Sequence, residues 1–186
     1  MIRAFIAIEI DPQLVREIST AVTDLKPRIA GIRWVSQTKF HLTLKFLGDI
    51  EENKIEPIAQ VLELALRPFP RFTINAKGLG VFPDLRRPRV LWIGLEGKKL
   101  LELASKVETA LDPLGFLPEK RGFQPHLTIG RWRQFDRSSS KFADELEKWQ
   151  GHEFGESTVA KVIFFQSELK REGAIYRPLK VVTLAR

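Results

Sequence analysis

The chain has 186 residues, no cysteine, 44% hydrophobic residues and a formal net charge of +7. That length and apolar content exclude a disordered chain and leave one domain, or two small lobes sharing a core. Without thiols there are no disulfides, cysteine nucleophiles or thiolate metal sites, and the basic balance suits a polyanionic partner such as nucleic acid without requiring one.

In chain order, residues 2–8 read as a buried strand, too short for a secretory signal and followed by Glu9 and Asp11. Asp11 suits an N-cap and Pro12 the first helical position. The helix is expected to run to about residue 29, with Leu14, Ile18, Val22 and Leu25 as its stripe and Gly31 as its stop. Arg33-Trp34-Val35 leads into a strand over 41–47, closed by Gly48. A helix over about 52–66 follows, with Pro57 near its first turn. Residues 71–82 read as a strand with a bulge or break at Gly78 and Gly80. A loop covers 83–88. The pattern then begins again: a strand over 89–95, a helix over 97–113 stopped by Gly115, and a strand over 126–131. A helix of about 140–149 is capped by Ser138 to Ser140, residues 153–166 hold one strand or two, and a turn over 170–173 leads to a last strand over 175–184. No run of about 18 apolar residues occurs, so no transmembrane helix is expected.

Two of the three histidines open the same phrase, His41-Leu42-Thr43-Leu44 and His126-Leu127-Thr128-Ile129. They lie 85 positions apart, and at that offset strand 2–8 falls on 87–93, helix 12–29 on 97–114, helix 52–66 on 137–151 and strand 71–82 on 156–167. Several elements matched at one offset indicate an internal duplication. The fold class that follows is α+β. Two pseudo-symmetric lobes each carry a mainly antiparallel sheet with helices on one face, and the active-site cleft lies between them. The whole chain, 1–186, is expected to form one bilobal domain of repeats 1–88 and 89–186, with strands open to exchange between the lobes.

Along a strand, side chains alternate between faces. Leu42 and Leu44 then face a core, while His41, Thr43 and Lys45 face away from it. In the second copy Leu127 and Ile129 are buried, and His126 and Thr128 share the open face. Arg131 has the wrong parity to join them unless the strand bends at Gly130. Two opposed imidazoles can divide proton transfer, one serving a nucleophile and the other a leaving group. Two threonine hydroxyls can donate to two oxygens of a phosphate held between them. No third ligand completes a zinc site, His152 reads as a solvated loop residue, and neither a Gly-x-Ser-x-Gly elbow nor a phosphate-binding glycine loop is present.

With Arg33-Trp34-Val35, Phe40 to Gly48, Arg89-Val90-Leu91-Trp92, Pro125 to Arg131, and Phe165 to Leu169 followed by Gly173 and Tyr176, these motifs resemble the two-histidine (2H) phosphoesterase superfamily. Within it the chain is similar to the RNA 2′,3′-cyclic phosphodiesterases, long called 2′-5′ RNA ligases. The resemblance implies cofactor-free, metal-independent opening of an RNA 2′,3′-cyclic phosphate to a 2′-phosphate, and in some relatives 2′-5′ ligation. It implies His41 and His126 as the catalytic pair, with Thr43, Thr128 and Arg131 binding the substrate. As a hypothesis, His126 activates water and His41 protonates the departing 3′ oxygen, although the pseudo-symmetry makes the two look alike. Arg86, Arg87, Arg121 and Arg133 are candidates to guide the RNA. Trp34, Phe82, Phe123 and Trp132 are candidates to stack on its terminal base. A cytoplasmic monomer acting on RNA ends, with no membrane association, is the expected setting. A phosphodiesterase for a small cyclic nucleotide or an ADP-ribose cyclic phosphate, and a non-catalytic RNA-binding module, remain as alternatives.

Overall fold

The computed structural model describes residues 1–119, 122–134, 141–170 and 173–186. The first strand, β1 (Ile2–Glu9), is buried from Ala4 to Ile8, as its unbroken apolar run requires. The first helix, α1 (Pro12–Leu25), buries Leu14, Ile18, Val22 and Leu25. It stops before the expected residue 29, because Pro27 has no N–H with which to continue the ladder. Asp11 stands at the N-cap position, yet its side chain makes no cap. Its Oδ2 accepts the Thr158 backbone N–H at 2.7 Å, and its own N–H donates to Ser157 Oγ at 2.9 Å. The carboxylate therefore ties the start of α1 to a strand of the second half.

Next come β2 (Ile32–Trp34), a single 3₁₀ turn over 37–39, and the first motif strand β3 (His41–Ile50). Gly48 does not close β3. It sits at φ 71° where Leu47 is extra in the pairing with β1, and the strand continues past it. A 3₁₀ turn over 52–54 precedes α2 (Ile55–Leu66), which places Pro57 in the first helical turn, where no N–H is missed. In β4 (Phe72–Phe82) the expected bulge falls at Gly78, with φ 70°. The second half supplies β5 (Val90–Glu96), α3 (Leu100–Leu111), β6 (His126–Trp132), α4 (Lys141–Trp149), β7 (Glu153–Val159), β8 (Lys161–Lys170) and β9 (Gly173–Thr183). The serine cap at 138–140 and part of the turn at 170–173 lie outside the described residues.

Two sheets result, in the orders β3-β1-β8-β9 and β2-β6-β5-β4-β7, and every pairing within them is antiparallel. At the 85-residue offset β1 corresponds to β5, β3 to β6 and β4 to β8. Yet β4, from the first repeat, pairs with β5, and β8, from the second, pairs with β1. β2 likewise leaves its own half to pair with β6, Arg33 opposite Arg131. Each motif strand thus lies in a sheet that the other repeat helps to complete. The inner faces of both sheets and the stripes of α1 to α4 merge into one buried cluster, running from Ile6 and Leu42 through Leu62 and Val107 to Leu127 and Phe142. A second, small cluster of Phe5, Ala7, Ile163 and Phe165 covers the opposite face of the first sheet, with Tyr176 against it. That face looks into the cleft.

Candidate active site

Both motif strands are interrupted at the same place. In β3, Thr43 pairs with Ala7 and Lys45 with Ile6, so Leu44 is an extra residue. In β6, Thr128 pairs with Trp92 and Gly130 with Leu91, so Ile129 is extra. A bulge of this kind turns over the alternation beyond it. Lys45, expected on the face of His41 and Thr43, therefore points the other way and is 2% exposed. Its Nζ donates to the Glu108 carboxylate and, at 2.9 Å, to the Leu117 carbonyl. Phe46 takes its place at the cleft and is 62% exposed. In β6 the matching inward position is Gly130, where a Cβ would lie 2.3 Å from Ile32 Cδ1. Glycine there lets Ile32 close over the strand. Arg131 then emerges on the face of His126 and Thr128, through a bulge one residue before the bend that parity required.

His41, Thr43, His126, Thr128 and Arg131 line one cavity of about 540 Å³, together with Arg3, Lys39, Phe46, Phe82 and Tyr176. β3 and β6 are neighbours although they belong to different sheets. The two imidazoles are held alike. His41 Nδ1 is 2.7 Å from the Lys39 carbonyl, and His126 Nδ1 is 2.7 Å from the Gln124 carbonyl. A carbonyl can only accept, so Nδ1 carries the proton of each neutral ring, and Nε2 is left for a substrate. Aromatic rings fix the planes. Phe5 and the edge of Tyr176 are each 5.1 Å from His41, centroid to centroid, and Phe82 meets His126 edge-on at 4.8 Å.

Burial lowers the pKa of both histidines below the ordinary 6.5, outweighing the carbonyl bonds that raise it. The Arg131 guanidinium lowers both further, and His126 adds to the effect on His41. Burial also raises the Tyr176 phenol, against a lowering by Arg131. Replacing Arg131 with methionine removes a positive charge from beside both rings, so the imidazolium forms become less costly. Both pKa values are expected to rise toward 6.5 in NMR titrations of the imidazole C–H signals, and an unmoved pair would show that the guanidinium does not act on them.

The other expected contacts divide. Phe82 lines this cavity and a neighbouring one, while Phe123 lines only the neighbour. Trp132 is 4% exposed and donates its indole N–H to the Ala30 carbonyl at 3.2 Å, so it belongs to the core. Trp34 is half-buried against that core and lines neither cavity. Arg86 and Arg87 sit in an exposed loop, where their N–H groups are held by Asp84 Oδ1, and line neither cavity. The Arg133 carbonyl accepts a bond from Arg89, and Arg121 lies outside the described residues. His152 is exposed, with Trp149 at 4.5 Å and Phe154 at 4.7 Å, and lines neither cavity. Among the described residues no three metal-ligating side chains cluster. No helix there is long and apolar enough to cross a membrane. Sequence reasoning gave no site role to Arg3, Lys39, Phe46 or Tyr176, although Phe46 and Tyr176 are among the residues that carry the resemblance. Arg3 was within reach, because it shares parity with Phe5 on β1.

The pattern of the LigT-like phosphoesterases matches residues 8–92 and again 93–176. An RNA 2′,3′-cyclic phosphodiesterase of Methanothermobacter thermautotrophicus is 35% identical over 98% of this chain and 99% of its own length. One from Aquifex aeolicus is 38% identical over 95% and 94%. Among solved structures, the Thermus thermophilus protein TT0787 superimposes with a TM-score of 0.82 at 25% identity, over 97% of each chain. E. coli LigT shares the fold at a TM-score of 0.80 and 24% identity, over 100% of this chain and 99% of its own.

Proposed function

The chain belongs to the LigT-like phosphoesterase family, and we propose that its cleft opens RNA 2′,3′-cyclic phosphate ends to 2′-phosphates by two-histidine acid–base catalysis. The observation that carries this reading is the matched pair of imidazoles. Each donates Nδ1–H to the carbonyl two residues before it, and each shares one cavity with a threonine two residues after it. In this reading Thr43 and Thr128 donate to the two non-bridging phosphate oxygens, and Arg131 offsets their charge. The Nε2 of one histidine takes a proton from water as the water oxygen bonds to phosphorus. The bond from phosphorus to O3′ breaks in line, and Nε2–H of the other histidine gives its proton to O3′. The products are a 2′-phosphomonoester and a 3′-hydroxyl. The histidines end with exchanged protonation states, which solvent resets. An RNA 5′-hydroxyl in place of water would give a 2′-5′ linkage by the same displacement.

One chain supplies both histidines, both threonines and the arginine, so a monomer suffices, and the residue chemistry calls on no cofactor. We read 1–186 as one bilobal unit, because the buried cluster is continuous between the repeats. Absent thiols and an RNA substrate agree with a cytoplasmic setting. The net charge of +7 favours a polyanion over a small nucleotide.

The test incubates the protein in EDTA with an RNA oligonucleotide ending in a 2′,3′-cyclic phosphate and maps the product end. A 2′-phosphate is expected. Tight RNA binding without turnover would favour a binding module. Turnover of a mononucleoside cyclic phosphate alone would favour the small-nucleotide reading.

A further inference from the structure

β2 puts Arg33 directly opposite Arg131 of β6. Residues that face each other across antiparallel strands share one face of the sheet, and like charges so placed repel. A third cation joins them. Lys39 lines the cavity of the two histidines, and its Nζ lies 3.1 Å from the point where a Cβ on Gly173 would stand. Arg33 Nη2 is 3.7 Å from the same point. Gly173 has φ 117°, so a side chain there would be strained and would press on the ammonium. Glycine at the start of β9 therefore leaves room for two cations side by side. Among the described residues no carboxylate forms an ion pair with Arg33, Lys39 or Arg131. The cavity's remaining side-chain cation, Arg3, has Asp49 opposite it on β3. The three cations thus share the rim of the cavity at an electrostatic cost, which a bound anion would offset.

We infer that Arg33 and Lys39 form an anion subsite at the rim of the cleft, which takes the phosphodiester on the 5′ side of the nucleoside bearing the cyclic phosphate. This rests on the phosphodiesterase reading, in which the reacting phosphate already engages Arg131. β2 is the edge strand of its sheet, one strand spacing of about 4.8 Å outside β6. An anion held there is one step outward from the first. RNA supplies such an anion, because the 5′ oxygen of the terminal ribose carries the next phosphate. A free nucleoside cyclic phosphate carries none at that oxygen. The subsite thus distinguishes an RNA end from a mononucleotide by charge, with no reading of the base. An exposed ion pair contributes up to about fivefold in affinity, and two contribute up to about 25-fold.

The test compares two substrates that differ only in the 5′ group, adenosine 2′,3′-cyclic phosphate and its 5′-phosphorylated form. Their kcat/KM values are measured at low and high salt. The wild-type protein is expected to prefer the 5′-phosphorylated form by about 5- to 25-fold at low salt, and the preference is expected to shrink as salt rises. Arg33→Met is expected to cut the preference to about a fifth and to leave turnover of the unphosphorylated substrate unchanged. Arg33→Lys, which keeps the charge, is expected to retain most of the preference. Because Arg33 is exposed, these variants leave the core intact. Equal turnover of the two substrates by the wild type would overturn the inference. So would a preference that survives Arg33→Met undiminished, or a loss that strikes both substrates alike. Calorimetry with adenosine 2′-monophosphate and adenosine 2′,5′-bisphosphate separates the subsite from the reaction. If neither cyclic phosphate turns over while the bisphosphate binds more tightly in an Arg33-dependent way, the hydrolysis reading fails and the anion subsite stands.

Discussion

Replacing His41 or His126 with alanine is expected to lower turnover of an RNA 2′,3′-cyclic phosphate by about 10²- to 10⁴-fold, the usual share of a positioned acid or base. The double variant is expected to fall little further than the weaker single one, because in the two-histidine reading the rings serve opposite ends of one displacement and either loss disables the exchange. A substrate analogue separates the roles. A substrate whose 3′ oxygen is replaced by sulfur has a leaving group that departs without protonation. It rescues whichever variant lacks the acid and leaves the variant lacking the base impaired. With His41 in the acid role, His41→Ala recovers on this substrate and His126→Ala does not. The opposite pattern would exchange the assignments. Near wild-type activity in either single variant would remove the two-histidine mechanism altogether. The pH profile follows from the same site. The acid must be protonated, and burial beside Arg131 holds both imidazoles below 6.5. As pH rises through that lowered value the charged fraction declines, so kcat/KM of the wild-type protein is expected to be falling already by pH 6.5.

Much of this site is visible in the sequence because its chemistry is written twice. A single His-x-Thr on a strand carries little information, but the second copy at an 85-residue offset fixes the register of His41, Thr43, His126 and Thr128 together. The stripes of α1 to α3 are equally plain, since Leu14, Ile18, Val22 and Leu25 recur at helical spacing. The bulges at Leu44 and Ile129 are not visible. Both are ordinary apolar residues in apparently regular alternation, and an extra residue exists only relative to a partner strand. The one local mark was Gly130, because a glycine inside a strand often signals a bulge or close packing. From those two bulges follow the reversed placement of Lys45 and the presence of Phe46 and Arg131 in the cleft. The pairing of β2 with β6 is hidden for a similar reason, since Ile32–Trp34 reads as a lead into β3 and nothing local names its partner. Trp132 was misleading because a large aromatic beside a motif looks available until the sheet buries it.

Replacing Lys45 with methionine, which keeps the volume of the aliphatic stem and removes the ammonium, is expected to destabilise the protein by about 3 kcal/mol in urea unfolding. Lys45 is 2% exposed, whereas the Glu108 side chain keeps 21% of its surface. The loss therefore belongs at the low end of the range for a broken buried pair, because water reaches part of the carboxylate left behind. Adding Glu108→Met removes that stranded charge and is expected to restore most of the stability, a coupling that two independent surface residues would not show. Activity should fall in the single variant by a smaller factor than for either histidine. The ammonium also holds the Leu117 carbonyl, in the segment that leads to Gln124, and the Gln124 carbonyl orients His126. Lys45 on β3 thus links the first motif strand to the approach of the second. If Lys45→Met proves as stable as wild type, or if the two substitutions simply add, the pair is a bystander and the bulge at Leu44 is held by apolar packing alone.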